Sequence, residues 1–271
     1  MSRGDGLRVG AVNYLNTKPL IHGFERFAPG AKLMLDLPSR LADRLAASDL
    51  DVALIPSIEA FQNPDYTIVS DACIACRGPV LSVKLFCRVP VAKIKTLALD
   101  EGSRTSVALT RILLAERHGL TPAVEPLPIG ATLADTTADA VLLIGDRAIH
   151  SPIGAFVEVW DLGDQWNRWA EASFVFAMWT ARPGVDTSQI EPALAEARDA
   201  GLASLPAIAE IEAPKLGLTQ PECLAYLRDN LHFQLGPAER RGLRLFHELS
   251  RKMGLAPRGV ELGFASCQSA R

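Results

Sequence analysis

Apolar residues fall in short, nearly unbroken runs, separated by stretches in which they recur at helical spacing. That alternation builds β/α units around mainly parallel sheets. The runs predict strands over residues 8–12, 32–37, 51–55, 80–89, 95–99, 123–127, 140–144, 156–160 and 174–181. Helices are expected over 17–27, with Pro19 in the first turn, over 39–47, capped by the Ser39 hydroxyl, and over 103–118. In the last of these Val107, Leu109, Ile112, Leu113 and Leu114 supply the apolar side. After residue 187 the pattern turns almost wholly helical, over 187–204, 207–212, 219–230 and 237–253, with a loose tail beyond Gly254.

The two long runs, 80–89 and 174–181, bracket a compact β/α block, and the strands before it and the helices after it are each incomplete alone. One economical arrangement is a discontinuous first lobe, 1–89 with 176–271, and an inserted second lobe, 90–175. Crossover strands near 83–89 and 175–181 would join them, with a ligand cleft between. A single doubly wound sheet produces a similar string of runs, and periodicity does not separate the two.

Composition narrows the class. A chain of 271 residues with 48% hydrophobic and 22% charged side chains can bury a core. No apolar run approaches the ~18 residues that span a bilayer, and no secretory signal opens the chain, so a cytoplasmic protein without a membrane partner is expected. The 28 basic and 31 acidic side chains leave a net charge of -3, which argues against nucleic acid as a partner. A small anion is still compatible, because helix N-termini can bind one locally. Five cysteines suggest no disulfide framework, and Cys73-Ile74-Ala75-Cys76 is a lone pair better read as packing than as metal chemistry.

Candidate chemistry sits where strands end, the side of a parallel sheet that faces its ligand crevice. Asn16, Thr17 and Lys18 follow the first strand, and helix capping is the competing reading. Ser103, Arg104, Thr105 and Ser106 open a helix, offering three hydroxyls, unpaired backbone N–H groups and a guanidinium suited to a carboxylate. An ordinary serine cap explains them equally simply. Gly145 and Asp146 stand at a third strand end, and Ser82 precedes the first long run. The tryptophans at 160, 166, 169 and 179 are best assigned to the core.

These stretches, in order, resemble the chorismate dehydratase family of the futalosine route to menaquinone. The matching residues are Val9-Gly10-Ala11-Val12 with Tyr14-Leu15-Asn16-Thr17-Lys18-Pro19; Asp51 to Glu59, including Ser57; Gly78-Pro79-Val80 with Ser82-Val83; Leu99-Asp100 with Ser103-Arg104-Thr105-Ser106-Val107; Leu143-Ile144-Gly145-Asp146; Asp161-Leu162-Gly163 with Trp166; and Phe174-Val175-Phe176-Ala177 with Trp179. The resemblance implies an α/β, two-lobed fold of the type II periplasmic-binding-protein kind. It implies an enzyme that takes chorismate as its small-molecule substrate and removes water to give 3-[(1-carboxyvinyl)oxy]benzoate, with no metal or organic cofactor. On that reading Asn16 is the catalytic candidate, and Thr17, Ser57, Ser82, Ser103, Arg104, Thr105, Ser106, Gly145 and Asp146 bind substrate. One departure stands out: Ala170-Glu171-Ala172-Ser173 replaces the family's Thr-Gly-Leu-Pro-like turn. A related lyase acting on cyclic dehypoxanthine futalosine, and a solute-binding module without catalysis, are the competing functions.

Overall fold

The computed structural model describes residues 6–150 and 156–264. Strand pairing divides the apolar runs between two sheets. The first contains β1 (Arg8–Val12), β2 (Lys32–Asp36), β3 (Val52–Pro56) and β4 (Thr67–Cys76). The second is made of β5 (Val83–Cys87), β6 (Thr96–Asp100), β7 (Ala123–Leu127), β8 (Ala140–Ile144) and β9 (Glu158–Asp161), in the order β7-β6-β8-β5-β9. The chain then returns to the first sheet with β10 (Phe174–Ala181), β11 (His232–Gln234) and β12 (Gly263–Phe264). That sheet runs β11-β4-β10-β3-β1-β2, with β12 beside β4. β1 is parallel to β2 and β3, whereas β10 is antiparallel to β3 and β4. β3 and β10 are buried at every position, as strands covered on both faces must be.

Ten α-helices cover the sheets among the described residues: α1 (Phe24–Phe27), α2 (Pro38–Ala46), α3 (Ser57–Ala60), α4 (Arg104–His118), α5 (Asp146–Ile149), α6 (Leu162–Ala170), α7 (Ile190–Ala203), α8 (Leu205–Glu212), α9 (Gln220–Ala225) and α10 (Pro237–Lys252). Of the tryptophans the pattern placed in the core, Trp160, Trp166 and Trp179 are buried, whereas Trp169 is half-buried against its edge. Phe174 lies 5.1 Å from Trp166 and 4.9 Å from Phe246, ring centre to ring centre, and Trp166 and Trp179 are fully buried.

Several expectations are corrected. β4 was not anticipated, and it is the long strand that closes the first half of the first sheet before the chain passes over. β5, at the expected crossover 83–89, instead pairs only with β8 and β9 in the second sheet, so the first passage between sheets is the segment 77–82. The second is the segment 171–173, between α6 and β10. The helix expected over 17–27 is split into a 3-10 turn, Leu15–Ile21, and α1, because Pro19 lacks an N–H and Gly23 adopts φ 68°. Ser39 does not cap α2; Leu37 occupies that position with Pro38 first in the helix, and Ser39 is buried. The helix expected over 219–230 is α9, closed by a Thr219/Glu222 capping box, followed by a π turn over Tyr226–Asn230. Beyond Gly254 the chain adds β12 to the first sheet. Cys73 and Cys76 are buried free thiols, and among the described residues no group of potential metal ligands is present.

Candidate active site

The first passage carries Val80 and Ser82 into the cleft between the sheets, and it is tightly pinned. Gly78 at φ 153° and Leu81 at φ 61° bend it. The Asp161 carboxylate, at the start of α6, accepts from the N–H groups of Val80 (2.9 Å) and Leu81 (2.6 Å). Those bonds offset the cost of a non-glycine residue in the left-handed region. Ser82 follows directly, its carbonyl accepting from Gly145 N at 2.9 Å. The bend therefore fixes Ser82 against the strand end that carries Gly145.

Between the sheets lies a narrow cavity of about 50 Å³. At roughly 10–15 Å³ per water, it has room for about four waters. Val12, Ile74 and Phe176 of the first lobe and Val80, Val83 and Ile144 near the second form its apolar walls. Its polar lining is Tyr14, Asn16, Ser82, Ser103 and Ser106, with the Gly145 backbone. Among the described residues no charged side chain lines it.

Asn16 is the second residue of the 3-10 turn and caps nothing; Tyr14 holds the cap position. Thr17, fully buried, donates its Oγ1 to Asn16 Oδ1 at 3.3 Å, which leaves the Asn16 Nδ2 end to donate elsewhere. On the opposite wall Ser103 caps α4, its Oγ accepting from Ser106 N at 3.4 Å and lying 2.9 Å from Ser106 Oγ. The first N–H groups of α4 have no partner within the helix, and its positive end faces the cavity.

The other expected site residues do not line this space: Thr105, Asp146 and Arg104 bond across to the first lobe, and Ser57 bonds within it. Thr105 Oγ1 accepts from Ile58 N across the cleft at 3.2 Å. Ser57 donates to the Val175 carbonyl at 2.8 Å. Asp146 accepts from Leu15 N at 3.1 Å, again across the cleft, and burial pushes its carboxyl up against the opposing pull of that amide and Lys18. Arg104 does not reach the cavity: its guanidinium turns outward to Asp43 (2.7 Å) and Glu59 (3.1 Å) on the first lobe. Two carboxylates outcompete an uncharged cleft for a cation, which accounts for the outward turn of the guanidinium.

Two residues escaped the sequence reading. Tyr14 packs its ring under Gly145, and a Cβ added to that glycine would meet the ring at 2.8 Å, at φ 74°. Burial, and then Asp100, push the Tyr14 phenol up to about 12. Tyr226, on the π turn, is buried beside Asn16 and Ser82. Tyr14 lies inside a matched motif and could have been weighed there; nothing in the helical third of the sequence marks Tyr226.

A family model described as menaquinone biosynthesis matches residues 7–252. A chorismate dehydratase from Thermus thermophilus is 33% identical over 258 residues, covering 89% of this chain and 93% of that protein. Among solved structures, protein AF1704 from Archaeoglobus fulgidus superposes with a TM-score of 0.73 at 14% identity, covering 94% of this chain and 100% of the other. The alkanesulfonate-binding protein SsuA from Xanthomonas axonopodis pv. citri gives 0.63 at 16% identity, with 98% and 100% covered. The periplasmic aliphatic sulphonate binding protein SsuA from Escherichia coli gives 0.60 at 17%, with 95% and 96% covered. These likenesses show a two-lobed, periplasmic-binding-protein-like fold. The match along nearly the whole sequence shows more: this chain belongs to the menaquinone-biosynthesis family, alongside a chorismate dehydratase.

Proposed function

We propose that this protein is a chorismate dehydratase acting in the cleft between its lobes, giving 3-[(1-carboxyvinyl)oxy]benzoate and water. The observation that carries the reading is an uncharged cavity with apolar walls and a cluster of hydroxyl and amide groups at the start of α4. Chorismate brings two carboxylates. The Ser103 and Ser106 hydroxyls at the positive end of α4 suit one of them without a buried cation, whose desolvation would be costly.

The reaction breaks the C–H bond at the ether-bearing ring carbon and the C–O bond of the neighbouring hydroxyl. The C–H electron pair becomes the new ring double bond, and the departing hydroxide and the proton leave together as water. Aromaticity drives the step, so the main task is to hold one conformer. Asn16 is assigned to orient the leaving hydroxyl through Nδ2. With no ionisable carboxylate, histidine or lysine in the described lining, the substrate's own side-chain carboxylate in this reading takes the ring proton and hands it to the departing hydroxide, which leaves as water.

Incubating the purified protein with chorismate alone and separating the products by chromatography tests it. The expected outcome is loss of chorismate with appearance of the aromatic ether. Binding without conversion favours a solute-binding module, and no interaction with chorismate removes the assignment.

A further inference from the structure

Behind two residues of the cavity lining, Asn16 and Ser82, lies the buried phenol of Tyr226, for which the proposed reaction has no use. It is 1% exposed. Its Oη lies against the side chains of Ser82 and Asn16, yet makes no well-formed hydrogen bond to either or to any described atom. A buried hydroxyl left unpaired costs about 1–3 kcal/mol, and a phenylalanine at this position would avoid that cost. The backbone is also unusual here: α9 gives way to a π turn that begins at Tyr226, and such turns recur at functional sites.

The neighbours explain what the hydroxyl can do. Asn16 follows β1 in the first sheet, and Ser82 precedes β5 in the second. The phenol thus stands where side chains from both lobes meet. Asn16 Oδ1 receives one long bond, 3.3 Å from Thr17, and has a lone pair to spare. A small shift on ligand entry would let Ser82 Oγ–H donate to Tyr226 Oη, and Oη–H donate to Asn16 Oδ1. That chain would aim the Asn16 Nδ2 donors into the cavity. Burial holds the phenol protonated well above its ordinary range, so it serves as a neutral donor and not as a base.

We propose that Tyr226 is a positioning residue, whose hydroxyl joins Ser82 to Asn16 and fixes the direction in which the Asn16 amide faces the substrate. The proposal rests on the dehydratase reading for its kinetic consequence only.

The test uses Tyr226→Phe in the full chain. The expected result is an unchanged or raised melting temperature, a kcat on chorismate lowered about 10-fold, and a KM within about threefold of the parent. In an Asn16→Leu background the same change should lower kcat by less than about twofold, because the two residues act as one unit. Equal loss in both backgrounds, parental kcat, or a protein that fails to fold would each overturn the proposal. Ligand-free crystal structures of the parent and Tyr226→Phe supply a readout independent of the reaction. A reoriented Asn16 amide supports the proposal, and an unmoved one overturns it. If the parent leaves chorismate unchanged, the dehydratase reading fails and the pair of structures alone decides the role of Tyr226.

Discussion

At Asn16, one amide separates a positioned substrate from an ordinary turn. Asn16→Leu keeps the side chain's approximate size and removes its polar end. Because the residue caps nothing and its Oδ1 accepts one long bond, the stability cost should stay near 1 kcal/mol, the value of the Thr17 hydroxyl left unmatched. Turnover of chorismate should fall at least ~10-fold, or ~1.4 kcal/mol of barrier. Melting temperature and product formation measured on one preparation separate these effects, and parental turnover in a destabilised protein would take Asn16 out of the site. Asn16, Ser82, Ser103 and Ser106 were legible because strand-to-helix junctions announce themselves in the pattern. Arg104 was misread because its partners, Asp43 and Glu59, are 61 and 45 residues away. Tyr226 had no local signal, since its meaning arises only when a π turn meets two distant strand ends.

Among the elements, the turn from β8 into α5 is the most constrained. Gly145→Ala would place a methyl 2.8 Å from the Tyr14 ring and hold alanine at φ 74° and ψ -161°, a region kept almost wholly to glycine and costing roughly 1–3 kcal/mol. Tyr14 belongs to the first lobe and Gly145 to the second, so the clash is relieved by parting the lobes. The separation would carry Asn16 away from Ser103 and Ser106. The expected outcome is a modest drop in melting temperature with kcat/KM lowered at least ~10-fold, since small misplacements of reacting groups cost that much. Steady-state kinetics beside calorimetry would check it, and parental kcat/KM would show that the contact is slack. Element order was largely readable, yet β4 was not. Ser70 and Asp71 interrupt its apolar run, and the Asp71 carboxylate is taken by Arg198 at 2.7 Å, a partner in the far helical region.

For the whole molecule, Asp51 ties together three neighbouring strands at one end of the first sheet. It accepts from Arg8 N (2.9 Å), Arg8 Nη2 (2.8 Å) and Arg182 Nη2 (2.6 Å), joining the starts of β1 and β3 to the end of β10. The Arg8 guanidinium foremost, with Arg182, holds its carboxyl well below the usual carboxylate range. A depressed folded value means that the stabilisation is fully present above the unfolded value, near ~4, and is lost as pH falls below it. Asp51→Asn should therefore cost about 2–3 kcal/mol at neutral pH, and the gap to the parent should narrow as pH drops below ~4. Urea midpoints at pH ~7 and ~3 would show the convergence; a gap independent of pH would mean that shape, not charge, is what Asp51 contributes. The discontinuous first sheet also sets an order of events on the ribosome. β5 to β9 emerge together and can pair as soon as Asp161 clears the exit, whereas β4 must wait about 100 residues for β10. The lobe that begins the chain is thus the last to be completed, and until then β4 presents an apolar edge to any strand or chaperone that meets it first.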